Sequence, residues 1–164
     1  MGDTYVECLV ARKPSVGMRI LKVLLIVLTA FFVFIGLAVS IGLLLAVVSG
    51  VLAYVVHLQG DIEYEYLYLD HEISVDRIMA KSRRKRVATY ETERLEILAP
   101  MKSWHLDDYK NRTAKTVDYS TGIAGQPETR YVMFYNGDTR VVLEPTVEFV
   151  KAVQSIAPRK VFLD

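Results

Sequence analysis

The chain has 164 residues and nearly balanced charge, 20 Lys and Arg against 19 Asp and Glu, for a formal net charge of +1. Its one cysteine, Cys8, excludes an internal disulfide framework and lacks the companion residues of a metal site or a thiol nucleophile. The 52% apolar content is concentrated: Val23 to Val56 is a run of 34 residues without a charge, and 107 residues follow His57. The chain therefore divides into a membrane segment and one small domain with its own core.

At the N-terminus, Met1-Gly2 is followed by Val6 where a myristoylation signal carries Ser or Thr. From Thr4 to Val10 the residues Val6, Cys8 and Val10 share one face at strand periodicity. That spacing predicts an edge strand, 4–10, within a cytoplasmic N-terminal segment, 1–18.

A helix through the whole uncharged run would reach about 51 Å, well past the roughly 30 Å hydrocarbon core. A cleaved signal peptide would leave Ile41 to Val56 apolar and exposed at the new terminus. One long tilted span is the alternative, with Arg12, Lys13, Arg19 and Lys22 inside and Asp61, Glu63 and Glu65 outside. The reading adopted is a transmembrane helical hairpin over 19–57, with arms from about Arg19 to Ile35 and from Ser40 to Val56. Gly42, Ala46 and Gly50 then form a small-residue stripe suited to packing of the arms, with homo-oligomer formation through the same face as the alternative.

The soluble domain, 58–164, opens on Ile62-Glu-Tyr-Glu-Tyr-Leu-Tyr-Leu69, an alternating strand that turns at Asp70-His71. Further strands are expected at about Glu72 to Ala80, Arg86 to Glu91, Arg94 to Leu98 and Thr116 to Ser120, with a loop over 121–127. Arg130 to Asn136 and Thr139 to Glu144 flank Asn136-Gly137, a strong hairpin signal. After Pro145 the period becomes helical, with Phe149, Val150, Val153, Ile156 and Ala157 on one face. The fold class is thus a membrane α-helical hairpin followed by about seven antiparallel strands closed by a C-terminal helix.

The strand order, with Tyr68-Leu-Asp-His-Glu-Ile-Ser-Val75 at its front and the terminal helix, resembles the bacterial pleckstrin-homology-like (PH-like) domain, a barrel or sandwich. The chain also resembles a family of small membrane proteins from Gram-positive bacteria, a domain family of unknown function with a membrane hairpin before such a domain. The residues that carry this are Tyr5-Val-Glu-Cys8, Lys85-Arg-Val-Ala-Thr89, Leu95-Glu-Ile-Leu-Ala-Pro100 and Ala157-Pro-Arg-Lys-Val-Phe162. The resemblance implies an architecture and no chemistry. Lipid-binding members of the wider fold place a basic pocket around the first hairpin, which here is the acidic Leu69-Asp-His-Glu72.

No catalytic constellation stands out, and no cofactor or metal is expected. His57, His71 and His105 lack a metal-ligand spacing to one another, and His105 with Asp107 and Asp108 reads as an exposed loop. Glu63 and Glu65 point to one side of their strand and read as a solvated face. The tyrosines of the first strand are interleaved with glutamates that would repel phosphate, so no nucleic-acid partner is expected.

The densest charge is Lys81-Ser82-Arg83-Arg84-Lys85-Arg86, five cations in six residues between two strands. It reads as a hairpin tip, with Lys81, Arg83 and Lys85 on one side and Arg84 and Arg86 on the other. On a cytoplasmic face these five cations would attract anionic lipid headgroups. Arg83 to Arg86 as a dibasic processing site and Asn111-Arg-Thr113 as a glycosylation sequon apply only if the domain faces a secretory lumen.

The functional expectation is a multi-pass cell-membrane protein whose cytoplasmic domain is a non-enzymatic binding or scaffolding module. Its partners would be the lipid bilayer, anionic headgroups and a membrane or cytosolic protein. The alternative is an accessory subunit of a membrane enzyme, or a weak hydrolase whose site the sequence does not display.

Overall fold

The computed structural model describes residues 5–123 and 129–164. These form two compact units: a helical unit of 13–62 with 79–83, and a sheet unit containing the other described residues. Thr4 of the expected first strand and 124–127 of the expected loop lie outside the described residues.

In the helical unit, α1 (Val16–Gly36) and α2 (Ser40–Gly60) are 21 residues each and antiparallel neighbours. Each is long and apolar enough to cross a membrane, at about 1.5 Å per residue. Both helices outlast the arms expected from apolarity, because caps and backbone hydrogen bonds set their ends. The Ser15 hydroxyl accepts from the Met18 N–H at 3.2 Å and starts α1 just after Pro14. At the turn, a β-carbon on Gly42 would lie 2.5 Å from the Gly36 nitrogen, so the two backbones meet where no side chain fits. Deeper in, the Thr29 hydroxyl donates to the Leu25 carbonyl at 2.7 Å and the Ser49 hydroxyl to the Ala46 carbonyl at 3.1 Å, with the two hydroxyl oxygens 3.0 Å apart. Both hydroxyls thereby find a local acceptor, as burial between two apolar helices demands.

Among the described residues the sheet unit has eight strands in two sheets and no closed barrel. The first sheet is ordered β1-β2-β3-β4, with β1 Val6–Arg12, β2 Ile62–Leu69, β3 Glu72–Met79 and β4 Arg83–Glu91. The second is ordered β5-β7-β8-β6, with β5 Leu95–Pro100, β6 Lys115–Asp118, β7 Tyr131–Tyr135 and β8 Thr139–Leu143. Three hairpins turn through paired positive-φ residues, Asp70-His71, Ala80-Lys81 and Asn136-Gly137, the geometry that matches the twist of the flanking strands.

β1 takes the edge beside β2 and makes the eighth strand, added to the about seven expected in the soluble domain. One departure from the expected all-antiparallel set stands out. β6 runs parallel to β8. It lies on the far side of β8 from β7, reached through the 12 residues between Asp118 and Tyr131, a connection long enough for a crossover.

The core is built on tyrosines. Tyr64, Tyr66 and Tyr68 point inward from β2 and are 7%, 0% and 1% exposed. Tyr66 and Tyr68 meet Phe149 of α3 (Val147–Ile156) edge to face. The Tyr66 hydroxyl donates to the Tyr119 carbonyl at 2.5 Å, so its polar end is satisfied where burial pushes its pKa up. Helix α3 buries Phe149, Val150, Ala152 and Val153. Ile156, expected on that face, is 43% exposed, since it ends the helix where the chain turns away. Past the helix, Leu98 of β5 bonds both Lys160 and Phe162, so the C-terminal residues cover that sheet edge.

Candidate functional site

The basic run is strand more than tip. The turn is Ala80 to Ser82, and β4 starts at Arg83, earlier than the expected Arg86. Two of its five cations are paired across the sheet. Arg84 Nε donates to Asp76 Oδ2 at 2.8 Å and Arg86 Nε to Asp76 Oδ1 at 2.9 Å, while Arg84 also pairs with Glu65. Asp76 is 5% exposed, so two charge-assisted bonds hold a carboxylate that could not stay buried alone. The same pairing raises the Arg86 pKa, first through the hydrogen bond and then through charge.

The anions that face Arg84 and Arg86 are therefore the protein's own. Lys81, Arg83 and Lys85 have no carboxylate partner among the described residues. Of these, Lys81 and Arg83 belong to the helical unit. There the Ala80 N–H donates to the Asp61 carbonyl at 2.8 Å, which fastens the turn to the end of α2.

A second basic group lies at the open end of the helical hairpin. Lys22 Nζ is 3.0 Å from His57 Nδ1. An ammonium can only donate, so Nδ1 accepts and the imidazole carries its proton on Nε2. Arg19 joins them around a cavity of about 240 Å³, with Met18 and Val56 as apolar lining and Asp61 as its carboxylate. Lys22 and His57 are the first charged or titratable residues on either side of the 34-residue uncharged run. Sequence reasoning used them as boundaries and missed that the hairpin brings them together.

The small-residue stripe sits within the hairpin: Gly42 and Ala46 are buried against α1, and Gly50 lies nearest Thr29 at 3.6 Å from where its β-carbon would be. His105 is stacked between Trp104 and Phe162 and pairs with Asp164 at 3.6 Å, whereas Asp107 pairs with Lys110. His105 and Asp107 thus have different partners. Cys8 is 5% exposed and burial pushes its thiol pKa up, as for a core residue. Glu144 gathers hydrogen bonds from Thr121 and Thr129. Burial raises its pKa, but these bonds and the Arg130 charge outweigh it and hold the carboxyl below its usual range.

A family described as bacterial PH-like domain (DUF6106) matches residues 2–163 of the chain. No curated protein and no solved structure matches it.

Proposed function

Since this chain belongs to the bacterial PH-like domain family, we propose that it is a membrane-anchored binding or scaffolding module that catalyses no reaction of its own. Two helices anchor it, and the PH-like domain works on the cytoplasmic face. The observation that carries this reading is the adjacency of β1 and β2 in one sheet. These strands precede and follow the helical hairpin, and Arg12 at the end of β1 reaches the Tyr64 hydroxyl near the start of β2 at 3.3 Å. Strands that share a sheet lie on one side of a bilayer, so both ends of the hairpin return to the same side. Arg19, Lys22, Lys81 and Arg83 cluster in the helical unit at that end, and the positive-inside rule assigns such an end to the cytoplasm. The partners on this reading are the bilayer, anionic headgroups attracted to Lys81, Arg83 and Lys85, and a membrane or cytosolic protein.

Alkaline carbonate extraction and reporter fusions at Met1 and Asp164 test it. The chain should stay with the membrane, and both reporters should read cytoplasmic. Reporters on opposite sides would replace the hairpin with a single tilted span.

A further inference from the structure

Resting on that anchored reading, we infer that the open end of the hairpin holds one phospholipid, its phosphate in the Arg19–Lys22–His57 cavity and an acyl chain along α1. The cavity holds about 240 Å³ and brings the Arg19 guanidinium, the Lys22 ammonium and the Nε2–H of His57 to one place. Asp61 is the carboxylate of the lining, so the cations outnumber it. Lys22 already spends one donor on His57 and keeps two for an oxyanion. Arg19 can present a fork of N–H groups matched to phosphate.

Arg19 borders both this polar cavity and an exposed apolar face of α1, and that shared border favours a lipid over a soluble anion. Arg19 also lines a groove of about 460 Å³ whose other walls are Ile20, Val23, Leu24 and Val27. These residues recur at three and four along one face of α1, so the groove runs with the helix into the apolar span. A phosphate at Arg19 thus has its glycerol and one acyl chain aligned with that groove. Neither alone fits a whole lipid, and Arg19 borders both.

The test uses the full chain in dodecyl maltoside micelles, with native mass spectrometry counting bound lipid. The probes are dioleoyl phosphatidylglycerol, dioleoylglycerol, which lacks the phosphate, and inorganic phosphate. One phosphatidylglycerol should be retained, dioleoylglycerol should not be, and millimolar phosphate should not displace the lipid. Arg19→Gln with Lys22→Gln should weaken retention at least tenfold, whereas Lys151→Gln on α3 should leave it unchanged. Each single variant is measured too, so a double variant that fails to fold leaves the claim testable, and Arg19→Lys with Lys22→Arg should retain the lipid. Equal retention of dioleoylglycerol, displacement by phosphate, or unchanged retention in both single variants would each overturn the site. Release of the chain by alkaline carbonate would sink the anchor itself; retention with unaltered lipid binding sinks the cavity alone.

Discussion

Asp76 decides what the basic run can do. Arg84 and Arg86 are each about half exposed, so an arginine that loses the carboxylate is still met by water. Removing both arginines is different, because it leaves a buried carboxylate without donors, a loss of about 1–3 kcal/mol. Arg84→Gln with Arg86→Gln should therefore destabilise the sheet unit by about 1–3 kcal/mol. Lys81→Gln, Arg83→Gln and Lys85→Gln together should stay within about 0.5 kcal/mol of the parent. Urea unfolding of the full chain in detergent, followed by the near-ultraviolet tyrosine signal, measures both; equal losses would mean that the run acts as one uniform patch. Strand alternation alone separates Arg84 and Arg86 from the other three cations. It cannot name Asp76 and Glu65 as their partners, because that depends on which strands pair and in what register, and the pairing arises only in the folded sheet.

Within the helical hairpin, tight backbone approach at the turn sets the tolerance to substitution. Gly42→Leu must displace the Gly36 backbone, which a β-carbon would approach to 2.5–2.8 Å. Overpacking of that kind costs about 1–3 kcal/mol. Gly50→Ala meets only Thr29, at ordinary contact distance, and should be neutral. Thermal stability of the two variants in detergent separates these outcomes; equal behaviour would mean that the arms do not pack through Gly42. The elements themselves were largely legible. Apolar run length announced two helices, alternation announced the tyrosine strand β2, and Asn136-Gly137 announced the β7–β8 hairpin. The parallel direction of β6 was not legible, since a parallel and an antiparallel edge strand of four residues carry the same pattern. The Lys22–His57 contact was visible only as two charges bounding a run, because nothing local to either residue says that they meet.

At the scale of the whole molecule, the anchor is an insertion between two neighbouring strands. Because Arg12 reaches Tyr64, a short turn replacing 13–61 should join β1 to β2 and yield a domain that folds without detergent. Retained near-ultraviolet tyrosine ellipticity together with monomeric elution would be the expected result. A product that aggregates would mean that the sheet unit needs its helices to fold. The insertion also puts the two strands far apart in time during synthesis. β1 leaves the ribosome some 50 residues ahead of β2, roughly 3 to 10 s at ordinary elongation rates. Throughout that interval Cys8 and Val10, both buried in the finished sheet, have no strand to lie against. On the anchored reading proposed above, only a chain whose helices go in and come back delivers β2 to the side where β1 waits. On that reading an insertion that failed to return would separate the two across the bilayer and leave an apolar strand unpaired, so completion of this sheet would report on its own membrane insertion.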